Sequence, residues 1–201
     1  MKNVAASKRA LLENIARSQG QNLDLLYLLY MEERLLYRIS QSSLADRIIL
    51  KGGLLLYSIF GHTSRPTRDI DLLGLDLPAQ PEELATLVRL VCSLDFPDGV
   101  VFDPDTIKAE VIREGANYQG IRVSVVASLG KVRNKLQLDI GFHDVVTPEP
   151  LTIDYPVLLD DPAPTLPVYS LESVIAEKFE AMVSLGLINS RMKDFYDIYL
   201  L

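Results

Sequence analysis

Two aspartates one residue apart, Asp69 and Asp71, close the stretch LKGGLLLYSIFGHTSRPTRDIDLL at residues 50–73, and two adjacent glycines, Gly52 and Gly53, stand near its start. In a strand, successive side chains alternate between faces. Ile70 and Leu72 then face a core, and both carboxylates face the other way. Like charges held that close push one of the pair toward protonation unless a cation lies between them. Magnesium resolves the conflict, because it takes carboxylate oxygens and substrate phosphates together. Glycines at a helix start let a phosphate approach backbone N–H groups that already carry partial positive charge. A D-x-D alone more often marks a solvated turn. Joined to a phosphate cradle, it describes a site that handles nucleotides.

Further residues bear on that site. KLQLDIGF (135–142) alternates, with Leu136, Leu138, Ile140 and Phe142 inward and Gln137 and Asp139 outward. Aspartate is depleted in strands. Asp139 is either an edge-strand solubility charge or a third carboxylate completing a metal site with Asp69 and Asp71. The segment 62–68 is a loop, since Pro66 cannot continue a helix. Its Arg65, Thr67 and Arg68 read as a solvated basic loop, or as groups that contact phosphate or orient a carboxylate.

These residues need a scaffold. The chain has 201 residues, 48% hydrophobic and 23% charged, which suits a globular protein with a full core. The net charge of −7 and a pI near 4.9 do not advertise nucleic-acid binding, so any such contact has to be a local patch. The lone Cys92 cannot form an internal disulfide and reads as a buried thiol in a reducing cytosol. No signal peptide opens the chain and no apolar run is long enough to span a membrane; the expected location is cytoplasmic.

Periodicity predicts helices at 4–19 and 22–41, a strand at 47–50 and a helix at 54–60. It then predicts a helix at 81–94 and strands at 106–114, 120–129 and 135–142, with turns at 115–120 and 130–134. A proline-rich connector at 144–168 holds short strands at Ile153–Leu158 and Leu166–Tyr169. Ser170 caps a helix that Gly186 ends, and Asn189 or Ser190 caps the last one. In the second helix, Leu23, Leu26, Tyr27, Tyr30, Leu35 and Tyr37 form the core face and Glu33, Arg34 and Arg38 the polar side. In the helix after Ser170, an apolar stripe from Leu171 to Leu185 faces the core, with Glu177, Lys178 and Glu180 around the polar side. The fold class is α+β. The expected division is N-terminal helices at 1–45, a sheet core at 46–169 and a C-terminal helical part at 170–201, with no linker between them.

LKGG, RPTRDIDLL, LQLDIGF, YSLESVIAEKFEAMV and NSRMKDFYDIYLL together resemble the AbiEii family of nucleotidyltransferase toxins, over roughly residues 25–201. The resemblance implies a polymerase-β-like nucleotidyltransferase core with a mixed, largely antiparallel sheet. It implies Mg²⁺ and a nucleoside triphosphate, for some members transfer to tRNA acceptor ends, and a neighbouring antitoxin that forms no stable complex. It assigns Gly52 and Gly53 to the phosphate loop, and Asp69, Asp71 and Asp139 to metal binding and catalysis. Lys178 becomes the basic residue of an E-K helix motif and Asp194 the acid of K-D-F-Y-D. It further implies helices beyond that motif; the apolar ending YLL reads as a chain that continues or as a helix docked in the core.

Nucleotidyl transfer is an in-line attack of a hydroxyl on the α-phosphorus, which two metals about 3.5–4 Å apart can stabilise. Asp139 would help deprotonate the hydroxyl, and Lys178, Arg65 or Lys51 would offset triphosphate charge. A tRNA 3′ end as acceptor needs a local basic groove, for which Arg65, Arg68, Lys131, Arg133 and Lys135 are the candidates. A small-molecule nucleotidyltransferase and a non-catalytic nucleotide- or RNA-binding regulator are the alternatives. Three converging carboxylates argue against the second, and fold alone cannot choose the acceptor.

Overall fold

The computed structural model describes residues 3–61, 64–114, 118–142 and 144–201. Helices α1 (Val4–Gln19) and α2 (Leu23–Ser40) lead, each capped by an asparagine side chain, Asn3 or Asn22. Strand β1 (Ile48–Lys51) runs directly into α3 (Gly52–Phe60), and β2 (Asp69–Gly74) follows. Next come α4 (Pro81–Cys92) and a three-stranded arm of β3 (Val100–Glu114), β4 (Tyr118–Leu129) and β5 (Val132–Phe142). The chain closes with β6 (Leu151–Asp154), β7 (Thr165–Val168), α5 (Leu171–Leu185) and α6 (Met192–Leu200).

The strands form one mixed sheet in the order β3-β4-β5-β2-β1-β7-β6. Only β2–β5 and β1–β7 pair in parallel; the other pairings are antiparallel. One face is apolar: Leu50, Ile70, Leu72, Leu136, Leu138, Ile140, Val123 and Val125 are buried on it. Helix α2 lies against this face, where the Met31 sulfur accepts a hydrogen bond from Asn134 of β5. The opposite face keeps the polar residues of the same strands, and the site lies there.

The alternation-based expectations place β1, β2, β4 and β5 on the observed strands, and the sheet is mixed and mostly antiparallel as expected. Several boundaries move. Strand β3 begins at Val100 rather than 106, because a register shift between Asp103 and Lys108 accommodates Pro104, which has no N–H to give the ladder. Of the turn expected at 115–120, residues 115–117 lie outside the described residues. The short strands of the proline-rich connector are Leu151–Asp154 and Thr165–Val168, shifted from the expected positions. Helix α6 starts at Met192, not after a cap at Asn189 or Ser190.

Two face assignments are corrected. The polar side of α2 does not face solvent: Glu32, Glu33, Arg34 and Arg38 are all buried. Arg38 makes bonds to the Asp98 carboxylate at 2.7 and 3.3 Å and to the carbonyls of Arg34, Leu94 and Val100. Arg34 pairs with Glu33 at 2.6 Å and bonds the Pro162 carbonyl, so α2 is tied by charge to the segments that wrap it. The stripe on α5 is also not core. Val174 is buried, but Leu171, Ile175 and Phe179 are exposed, and the other buried residues are polar, Ser173 and Lys178. No helix among the described residues is long and apolar enough to cross a membrane. Cys92 is buried, as its apolar surroundings predict.

Candidate active site

Strand register builds the site. Lys51 of β1 lies opposite Asp71 of β2, Asp71 opposite Asp139 of β5, and Asp139 opposite Arg122 of β4. Four adjacent strands thus present a row of base, acid, acid, base on one face. Two residues along, Asp69 lies opposite Gln137. The Gln137 side-chain amide donates to an Asp69 carboxylate oxygen and fixes its rotamer.

The glycines belong to this row. Helix α3 opens at Gly52, whose φ of +67° lies in the left-handed region. A Cβ on Gly52 would stand 1.9 Å from Asp71 Oδ2, and one on Gly53 would stand 2.6 Å from Thr67 Oγ1. Both positions must therefore lack a side chain for the helix start to approach the carboxylate and the loop before β2. The Gly53 N–H donates to Asp71 Oδ2 at 3.4 Å, so Asp71 sits at the positive end of the α3 dipole.

Burial and the neighbouring Asp139 push the Asp71 carboxyl up to about 6, against the opposing pull of Lys51, the Gly53 N–H and Lys193 of α6. Asp139 is held differently. Arg122 Nε and Nη2 donate to its two oxygens at 2.7 and 2.6 Å, a two-pronged pair. Among the described residues no group of three acidic, histidine or cysteine side chains stands close enough to share a metal ion. The donors that fit a hard divalent cation are Asp69 and Asp71: two residues apart on one strand face, with the Asp71 carboxyl raised by burial and by Asp139 of the next strand. Asp139 has both oxygens committed to Arg122 in this state.

Lys51 is not turned to open solvent. Its ammonium meets Asp144 at 2.9 Å and Glu177 at 2.8 Å and lies 5.4 Å from the Tyr169 ring centre. Thr67 is buried against the glycine turn. Arg65 pairs with Asp197 at 3.1 Å. Lys178 meets Asp197 at 2.6 Å and Asp194 at 3.5 Å, and Arg191 meets Asp194 at 2.7 Å. Lys178 and Asp194 therefore belong to a second, buried charge cluster that joins α5, α6 and the 64–68 loop. Its link to the carboxylate row is Lys193, the residue beside Asp194, which is exposed and close enough to Asp71 to pull on its pKa.

Of the candidate basic groove, Arg68, Lys131, Arg133 and Lys135 are exposed. Arg133 and Lys135 sit on β5 rather than in a turn, on the same face as Gln137 and Asp139. β2 and β5 are neighbours, so this strip leads to the carboxylates. Reading the sequence alone misses Arg122, Gln137 and Lys193. Alternation puts Gln137 on the polar face, but nothing local in the sequence reports which strand lies beside which.

A family model described as "Nucleotidyl transferase AbiEii toxin, Type IV TA system" matches residues 34–201. No protein of curated function matches the sequence. Among solved structures, a designated nucleotidyltransferase from H. pylori overlaps with a TM-score of 0.56 at 15% identity, covering 90% of this chain and 69% of that one. JHP933 from Helicobacter pylori overlaps with a TM-score of 0.46 at 15% identity, over 77% of this chain and 55% of that one. ANT(2″)-Ia, solved with adenylyl-2″-tobramycin, overlaps with a TM-score of 0.49 at 14% identity, over 87% of this chain and 86% of that one. At these identities the first overlap shows a shared fold.

Proposed function

The chain belongs to the AbiEii nucleotidyltransferase toxin family of type IV toxin–antitoxin systems, and from that premise we propose that it transfers a nucleotide from a nucleoside triphosphate to a hydroxyl, with Mg²⁺ as the cofactor and a tRNA 3′ end as the acceptor. The observation that carries this reading is the close approach of the Gly52–Gly53 helix start to Asp71, beside Asp69 on one sheet face.

Asp69 and Asp71 are the residues to hold the ion; when bound, it would stabilise the attacking and leaving oxygens. The chain's own groups do the rest. Gln137 holds Asp69 in place. The α3 N-terminus offers the Gly53 N–H to a phosphate oxygen, as helix starts do. Lys193 and Lys51 offset negative charge around Asp71. Lys178 and Asp194 act through α6, by fixing the helix that carries Lys193. Asp139, once free of Arg122, is the base nearest to Asp71 for taking the acceptor proton.

The acceptor reading draws on Arg133 and Lys135. They lie six and four residues before Asp139 on one strand face, about 20 and 13 Å away at 3.3 Å per residue. A single-stranded end can follow such a strip without an RNA helix being opened. The same reading makes the protein a growth-arresting, abortive-infection toxin of the cytoplasm, with an antitoxin as its counterpart. The test is incubation with each α-labelled NTP, Mg²⁺ and total RNA. A labelled band at tRNA size, lost when the 3′ diol is first oxidised with periodate, is expected. Absence of labelled RNA with every NTP would contradict the RNA acceptor and move a small hydroxyl compound ahead.

A further inference from the structure

We propose that Arg122 is a nucleotide-phosphate ligand which, before nucleotide binds, occupies Asp139, so that the site takes up its cation together with the triphosphate. This rests on the nucleotidyltransferase reading above. The argument starts from register. β4 sets Arg122 opposite Asp139, and β2 sets Asp71 on the other side of Asp139. Asp139 has both oxygens bonded by one guanidinium, at 2.7 and 2.6 Å, and is no donor for a cation in that state. The two partners differ in access: the arginine side chain is 32% exposed and the aspartate 12%. An arriving solute therefore meets the guanidinium first.

The fork of an arginine fits a phosphate as well as it fits a carboxylate. When a triphosphate takes the fork, Asp139 is released beside Asp71, and a cation can settle among the carboxylates. Each charge exchanges one partner for another, and none is left bare. Lys51 does not do the same for Asp71, because its ammonium is already drawn to Asp144 and Glu177 on its other side. As a purely structural pair, a part-exposed ion pair would contribute little to the sheet.

Two binding measurements separate these readings, both on the full chain. Mn²⁺ affinity is measured without nucleotide, and affinity for an α,β-methylene NTP analogue is measured in EDTA. Arg122→Met should tighten Mn²⁺ by about tenfold and weaken the analogue by about tenfold, the scale of a lost charged hydrogen bond. Asp139→Asn loosens the fork from its partner and should tighten the analogue in EDTA. Arg122→Lys, which keeps the charge but not the fork, should fall between wild type and Arg122→Met in both assays. It also stands in if the methionine variant fails to fold, as judged by circular dichroism. Opposite-sign shifts support the exchange. Shifts of the same sign in Arg122→Met, or no change in analogue affinity in Asp139→Asn, overturn it. Normal wild-type binding of the analogue with no Arg122 effect overturns the exchange alone; no analogue binding by the wild type, with or without Mg²⁺, overturns the exchange and its premise together.

Discussion

Asp71 lies between Lys51 and Asp139 in the cross-strand row, and its carboxyl is raised from 3.8 to about 6, first by burial and then by Asp139. The folded pKa is above the unfolded one. Between those values the folded chain keeps a proton the unfolded chain has lost, so stability falls as pH rises through that window. Asp71→Asn removes the charge and keeps the volume. It should raise the stability of the metal-free protein by about 3 kcal/mol at pH 8 and change it little at pH 3.5, by thermal melts at both pH values. The same variant should lose transfer activity by about 100-fold or more. Unchanged activity would remove Asp71 from the site. At this scale the acids and glycines were legible, because D-x-D and G-G are local patterns. Arg122 and Gln137 were not: they reach the carboxylates across strands, and pairing between strands far apart in sequence leaves no local trace.

Helix α3 depends on Gly52 for two reasons, a left-handed backbone and a contact with no room for a Cβ. Gly20 separates them: it caps α1 at φ +66° with nothing within 4 Å of a built Cβ. Gly20→Ala should cost about 1–2 kcal/mol of stability and leave activity intact, as a left-handed alanine does. Gly52→Ala should cost more than that and also displace Asp71, abolishing transfer; equal loss in the two variants would contradict the close approach. Helix α6 shows a different dependence. Its buried residues are two acids, Asp194 and Asp197, while Phe195, Tyr196 and Tyr199 are exposed. Lys178→Met removes the cation that the two acids share, leaving Asp197 with Arg65 and Asp194 with Arg191 only, and should loosen α6 by about 2 kcal/mol. Hydrogen exchange of the α6 amides should then rise well above that of β2; equal protection in wild type and variant would refute it. Apolar periodicity identified α5 and α6 as helices, but it misread the side of α5 that faces inward, because an ion cluster rather than a hydrophobic seam joins α5 to α6.

Across the whole molecule, one sheet has an apolar face under α2 and a polar face with the site. The sheet class and most strands were legible from alternation. The surroundings of α2 were not, since Glu32, Glu33, Arg34 and Arg38 look like a solvated face until other segments are known to close over them. Burial pushes Glu33 up to about 7 and holds Glu32 well above the usual carboxylate range, which shows how complete that closure is. With a net charge of −7, the proposed RNA contact would fall to the basic β5 strip. Arg133→Glu with Lys135→Glu should leave NTP binding within about twofold and cut RNA labelling by at least about tenfold, from the loss of phosphate contacts alone. RNA labelling that survives the double reversal would place the acceptor elsewhere. The claim beneath all of these is that the glycine turn and the paired aspartates perform nucleotidyl transfer. Parallel reactions with α-labelled and γ-labelled NTP test it most directly. Label from the α position should appear on the acceptor, label from the γ position should leave as pyrophosphate, and Asp71→Asn should abolish both. Transfer of the γ label to the acceptor, or no loss of α-label transfer in Asp71→Asn, would contradict the account.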